Sequence, residues 1–119
     1  MSSDLFQILA VEQARVVDLS LPISLDSGEF DRINESLLER INREPSAWWV
    51  LDLSRLTYMG SAALGLMVNL RQQVKQGGGK LVLCGMSPRL QQIFRTCCME
   101  RLFTIKATRL DALKAVGVK

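Results

Sequence analysis

WWVLDLSRLTYMGSAALG, residues 48–65, runs from an apolar stretch through a short loop onto a serine that can open a helix. Trp48 to Leu53 is almost continuously apolar, the pattern of a strand covered on both faces and so central in a sheet. Beyond the loop, Ala63, Met67, Leu70 and Val74 make one stripe at helical spacing, with Asn69, Arg71, Gln72 and Gln76 supplying polar positions. A helix is therefore predicted from about Ser61 to Gln76. Ser61 is its expected N-cap, and its hydroxyl also sits where free backbone N–H groups and the positive end of the helix dipole welcome a phosphate.

Downstream, Gly77, Gly78 and Gly79 stop this helix, and Lys80 to Cys84 reads as the next strand. Ser87 followed by Pro88 is an N-cap with proline at the first helical position, opening a helix through Leu90, Ile93, Phe94 and Cys97. Leu102 to Ile105 predicts a last short strand. Thr108 with Asp111 three residues on predicts the cap of a terminal helix containing Leu110, Leu113 and Val116.

Upstream, Phe6 to Val11 and Ala14 to Leu19 flank the polar pair Glu12 and Gln13, which predicts a hairpin. Asp26 and Glu29 predict a capping box for a helix whose Phe30, Ile33, Leu37 and Ile41 share one face, widened by Leu38. Glu29 and Asp31 in its first turn and Arg40 and Arg43 in its last match the macrodipole, and Pro45 prevents continuation. The order ββαβαβαβα predicts an α/β fold with a mixed, mostly parallel sheet and helices packed against it.

With 119 residues and 48% hydrophobic content, residues 1–119 fit one domain. A net charge of +3, scattered among acidic residues, forms no basic patch, so no nucleic acid is expected as a partner. The apolar runs fall far short of the roughly 20 residues that cross a bilayer, and MSSDLFQ lacks the features of a signal segment. A cytoplasmic protein without membrane insertion is expected.

The chain has no histidine, which excludes Ser-His-Asp and Cys-His nucleophilic systems and histidine metal sites. No acid–base pair or metal cluster stands out, so neither an enzyme nor a cofactor is expected. Asp52 at a strand end invites comparison with a phosphoaccepting aspartate, but Glu12 and Asp18 do not supply the acidic pair that a Mg²⁺ site requires. Gly77 to Lys80 reads GGGK, yet it follows a helix and precedes a strand, the reverse of a phosphate-binding loop. The three cysteines, Cys84, Cys97 and Cys98, form no CxxC and are expected to be reduced and buried.

The segment VLDLSRLTYMGSAALGLM, the glycine stop, KLVLCGMSPRLQQIF and RLFTI together resemble the STAS domain of bacterial anti-sigma factor antagonists. The resemblance spans most of the chain. It implies a strand ending in LDLS, a loop carrying the regulatory serine, a helix, glycines before a strand, and Ser-Pro before the next helix. It also implies that Ser61 is the phosphoacceptor of a partner-switching protein whose unphosphorylated form binds a GHKL-type anti-sigma factor and serine kinase. Phosphorylation then releases it. By the same resemblance, Ser27, Met59, Gly60, Ser61 and Ala62 form the partner-binding edge.

Two positions depart from the family pattern: Gly60 stands where it has aspartate, and Ala63 where it has glycine. Gly60 leaves a second expectation open, a STAS scaffold subunit of a lipid transporter or a stressosome-like complex that is not phosphorylated.

Overall fold

The computed structural model describes residues 6–21, 27–45 and 47–118. Strands β1 (Phe6–Val11) and β2 (Ala14–Leu19) form an antiparallel hairpin with Phe6 opposite Leu19. Helix α1 (Ser27–Arg43) leads to β3 (Trp48–Asp52), and α2 (Ser61–Gln76) leads to β4 (Lys80–Cys84). Helix α3 (Pro88–Thr96) continues through a 3-10 turn at Glu100–Leu102 into β5 (Thr104–Lys106), and α4 (Arg109–Ala115) follows. The observed order is the predicted ββαβαβαβα. Asp26 of the expected capping box lies outside the described residues.

The five strands lie side by side in chain order, with β2 to β5 parallel. Each parallel crossover advances by one strand in the same direction, and the right-handed rule then sends all three connecting helices to one face. That face holds the larger core, where Val17, Leu19, Trp49, Leu51 and Leu83 meet Ile33, Leu37 and Ile41 of α1, Met67 and Leu70 of α2, and Phe94 of α3. The opposite face is served by α4, where Ala112 and the C-cap residue Val116 pack on Ala14, Val16, Val50, Val82 and Cys84. Alternation along β3 divides the two cores: Trp49 and Leu51 point to one, Val50 to the other.

Side chains cap two helices as predicted: Ser87 accepts from the Leu90 N–H at 3.2 Å and Thr108 from the Asp111 N–H at 3.1 Å. Leu110 of α4 is 62% exposed, while Ala112 and Val116 turn to the sheet. The last strand also starts later than expected. Phe103 is buried against Phe94, at 6.0 Å between ring centroids, and Leu102 belongs to the turn that places it there. Among the described residues no helix is long and apolar enough to cross a membrane.

Helices α2, α3 and α4 end alike. Gly78, Cys98 and Gly117 take φ of +82°, +57° and +91°, and the next N–H reaches back to Val74, Phe94 and Leu113 respectively, at 2.8 to 3.1 Å. This is the Schellman arrangement, which satisfies carbonyls that a helix end leaves free. At α3 a cysteine occupies the left-handed position that glycine fills in the other two, and a β-carbon is disfavoured there. Cys98→Gly is expected to raise stability by roughly 0.5–1 kcal/mol, read as a higher urea midpoint with an unchanged slope.

Candidate functional site

The connector between β3 and α2 is held by an apolar residue at every third position. Leu53, Leu56 and Met59 are buried in the main core, whereas Ser54, Arg55, Thr57 and Tyr58 face outward. The Leu53 N–H donates to the Cys84 carbonyl at 2.9 Å, and the Leu56 N–H to the Leu53 carbonyl at 3.0 Å. These anchors leave the loop little freedom, so the start of α2 is presented at a defined place.

Ser61 is not the cap of that helix, contrary to the sequence expectation. Gly60 is the N-cap, with φ −86° and ψ −177°, and no side chain caps the end. The reason lies in the backbone: the first intrahelical bond runs from the Leu64 N–H to the Gly60 carbonyl at 3.0 Å, so Ser61 is already the first helical residue. Its side chain is thereby released from capping and is exposed. The first turn of α2 carries no acidic residue, so the positive end of the helix meets no neutralising carboxylate of its own.

Ser61 stands on the lip of a groove of about 320 Å³ between the start of α2 and α3. Gly60, Ser61 and Leu64 form one wall, Ile93, Thr96 and Cys97 the other, and Tyr58 and Met59 contribute to the lining. Tyr58 is 40% exposed, and the Arg89 guanidinium carbon lies over its ring at 5.4 Å from the centroid. Met59 is buried at 3% exposure, so it shapes the groove from beneath, while Ser61 and Ala62 are the outward residues. Ala62 opens toward α1, into a smaller cleft of about 240 Å³ shared with Phe30, Asp31 and Gly65. Ser27 is the first residue of α1, and its side chain lies outside the described residues.

The cysteines correct a second expectation. Cys84 is buried, but Cys97 and Cys98 are exposed. The turn that ends α3 explains this, because it brings Phe94 and Met99 inward and leaves the two residues between helix and return bond outside. Burial pushes the Cys84 thiol up to about 12, with the Asp52 charge adding to the effect, so this thiol is not a nucleophile.

A charged cluster that the sequence did not disclose joins α4 to the sheet. Register places Asp18, Asp52 and Cys84 in one row at the carboxyl ends of β2, β3 and β4. Arg109, at the start of α4, donates from Nε to Asp52 at 2.7 Å and from a terminal nitrogen to Asp18 at 3.3 Å. Arg55 lies 3.5 Å from the other Asp18 oxygen, and the Ser54 N–H donates to Asp52 at 2.9 Å. Burial raises the Asp52 carboxyl, but hydrogen bonds from Ser54 and the paired Arg109 outweigh it and hold it below its ordinary value. Asp52 thus ties the first residues of the Ser61 loop to α4. Among the described residues no three His, Cys, Asp or Glu side chains converge as a metal-binding group.

Comparison with known proteins agrees with this architecture. Residues 7–112 match the family model of the STAS domain, and the chain belongs to that family. A Bordetella bronchiseptica protein named as an anti-sigma factor antagonist, BtrV, is 35% identical over 66 residues. The match covers 56% of this chain and 57% of that relative's length. An anti-sigma factor antagonist domain protein from Planctomyces limnophilus superposes with a TM-score of 0.80 at 20% identity, covering 93% of this chain and 97% of that one. The anti-sigma factor antagonist SpoIIAA in its unphosphorylated form superposes with a TM-score of 0.73 at 18% identity, covering 96% of this chain and 98% of its own.

Two measurements check the site's chemistry. Because the folded Asp52 carboxyl titrates below the unfolded one, the unfolded chain binds more protons between those values, so stability rises with pH in that window. The contribution is complete above about pH 4 and is lost as pH falls through the folded value. Asp52→Asn is expected to flatten the acid limb of stability against pH, measured by urea unfolding at stepped pH. Separately, thiol titration of the native protein should count two reactive groups, with the third, Cys84, appearing only on denaturation.

Proposed function

We propose that this chain, as a single STAS domain, is an anti-sigma factor antagonist of the partner-switching kind. Its unphosphorylated form docks an anti-sigma factor that is also a serine kinase of GHKL type, in the cytoplasm, and phosphorylation of Ser61 releases it. Met59, Gly60, Ser61 and Ala62, with Ser27, make the docking edge. The chain binds and is modified, and performs no catalysis itself.

The observation that carries this reading is the uncapped, exposed Ser61 hydroxyl beside an apolar groove at the start of α2. A hydroxyl engaged in capping would have to give up a helix contact to be modified; this one has none to lose. A phosphate adds about −1.5 to −2 charge at that point, which the helix end tolerates. A partner surface matched to a neutral hydroxyl would have to desolvate it. Losing about 2.7 kcal/mol weakens binding a hundredfold, so the domain needs no refolding to switch. The BtrV relative and the SpoIIAA neighbour, the latter also known from Bacillus in a phosphorylated form, support the assignment.

Gly60 favours a second reading, a scaffold STAS subunit that is never phosphorylated. A β-carbon there would meet only Tyr58, at 3.8 Å, so the backbone has room for the family's aspartate and the carboxylate is absent for another reason. Affinity capture from the native cell separates the two: a GHKL-type kinase supports switching, and transporter or stressosome-like subunits support scaffolding. With the cognate kinase, Ser61→Ala should keep binding within a few-fold, whereas Ser61→Asp should weaken it on the order of a hundredfold by calorimetry. Equal affinity of the two variants, or phosphate mapped only to other residues, rejects the switch.

A further inference from the structure

We propose that Arg89 is the internal receptor for the Ser61 phosphate, so that modification moves its guanidinium off Tyr58 and onto the phosphoserine. The inference rests on Ser61 being the modified residue and adds what the protein itself does in response.

Arg89 lies in the first turn of α3, the helix that forms one wall of the groove, and its side chain is exposed. Its guanidinium carbon sits 5.4 Å from the Tyr58 ring centroid. The same ring lies against the residue that precedes Ser61: a β-carbon on Gly60 would be 3.8 Å from Tyr58 Cε2 and 4.0 Å from its hydroxyl. Tyr58, Gly60 and Ser61 line one groove. The cation therefore rests on a ring that also lies against Gly60, the residue preceding Ser61. It is also available, since none of the ion pairs among the described residues includes Arg89.

The energetics favour the exchange. A cation resting on an exposed aromatic ring gains little, because water competes for it, and the contact constrains the side chain only weakly. A guanidinium on a phosphate forms charge-assisted, often bidentate hydrogen bonds, roughly twice as strong as neutral ones. Glycine at position 60 contributes by omission, because an aspartate there would compete for the guanidinium and repel the phosphate. The switch then alters two features of the docking edge together: an anion appears at Ser61, and the cation over Tyr58 leaves its place.

The test installs phosphoserine at position 61 of the full chain during translation, so that no kinase is involved. Phosphorus NMR titration reads the second ionisation of the phosphate, and the Tyr58 ring resonances are compared with and without the phosphate. Arg89→Gln is expected to raise that ionisation by roughly half a pH unit or more and to abolish the phosphate-dependent Tyr58 shift. Arg89→Lys should restore most of the ionisation as a point charge, and Arg95→Gln, whose residue pairs with Glu100 at 3.8 Å, should change neither reading. If Arg89→Gln matches the parent in both readings, or Arg95→Gln shifts the ionisation equally, the proposal is overturned. Because the phosphate is installed without a kinase, that result leaves the kinase mapping untouched, and a negative kinase mapping leaves this measurement untouched.

Discussion

Burial of β3 on both faces is the constraint on which the rest of the molecule depends. Trp49 and Leu51 require a cover of helices on one side, and Val50 requires another on the opposite side. Right-handed crossovers supply the first cover with three helices and leave the second to α4. The chain leaves the sheet at the carboxyl end of that strand on its way to Ser61. The loop to α2 is then pinned by Leu53, Leu56 and Met59, so the same apolar burial that stabilises the fold delivers Ser61 to a fixed point.

Polar interactions refine what burial positions. Asp52 terminates β3 at 5% exposure, and a carboxylate so placed is costly unless paired. Arg109 and Ser54 pair it, which joins α4, the strand end and the start of the loop in one arrangement. This explains why an aspartate at the end of a central strand need not signal phosphotransfer chemistry. Its oxygens are already engaged by donors that fix neighbouring elements.

The element order and the two buried stripes of α1 and α2 were legible because hydrophobic period is local information. So were Ser87 and Thr108 as caps, each with its partner N–H three residues on. Ser61 looked the same in sequence but differs in the fold, because a serine caps only if the helix begins after it. Gly60 takes the extended conformation and the helix begins one residue earlier. Cys97 and Cys98 were misplaced for a related reason: composition favours burial of cysteine, but a left-handed turn at Cys98 sends Phe94 and Met99 inward instead.

By itself the sequence determined which segments become strands and helices, in what order, and which connector leads to the serine at the start of α2, since these follow from spacing along the chain. Tertiary structure alone decided the company those residues keep. Asp18, Asp52 and Arg109 meet only through strand register and the return of α4, and Arg89 reaches Tyr58 only because α3 lies beside the start of α2. Pairings between residues distant in the chain leave no periodic trace, because side-chain spacing encodes which face a residue occupies and not what lies across from it.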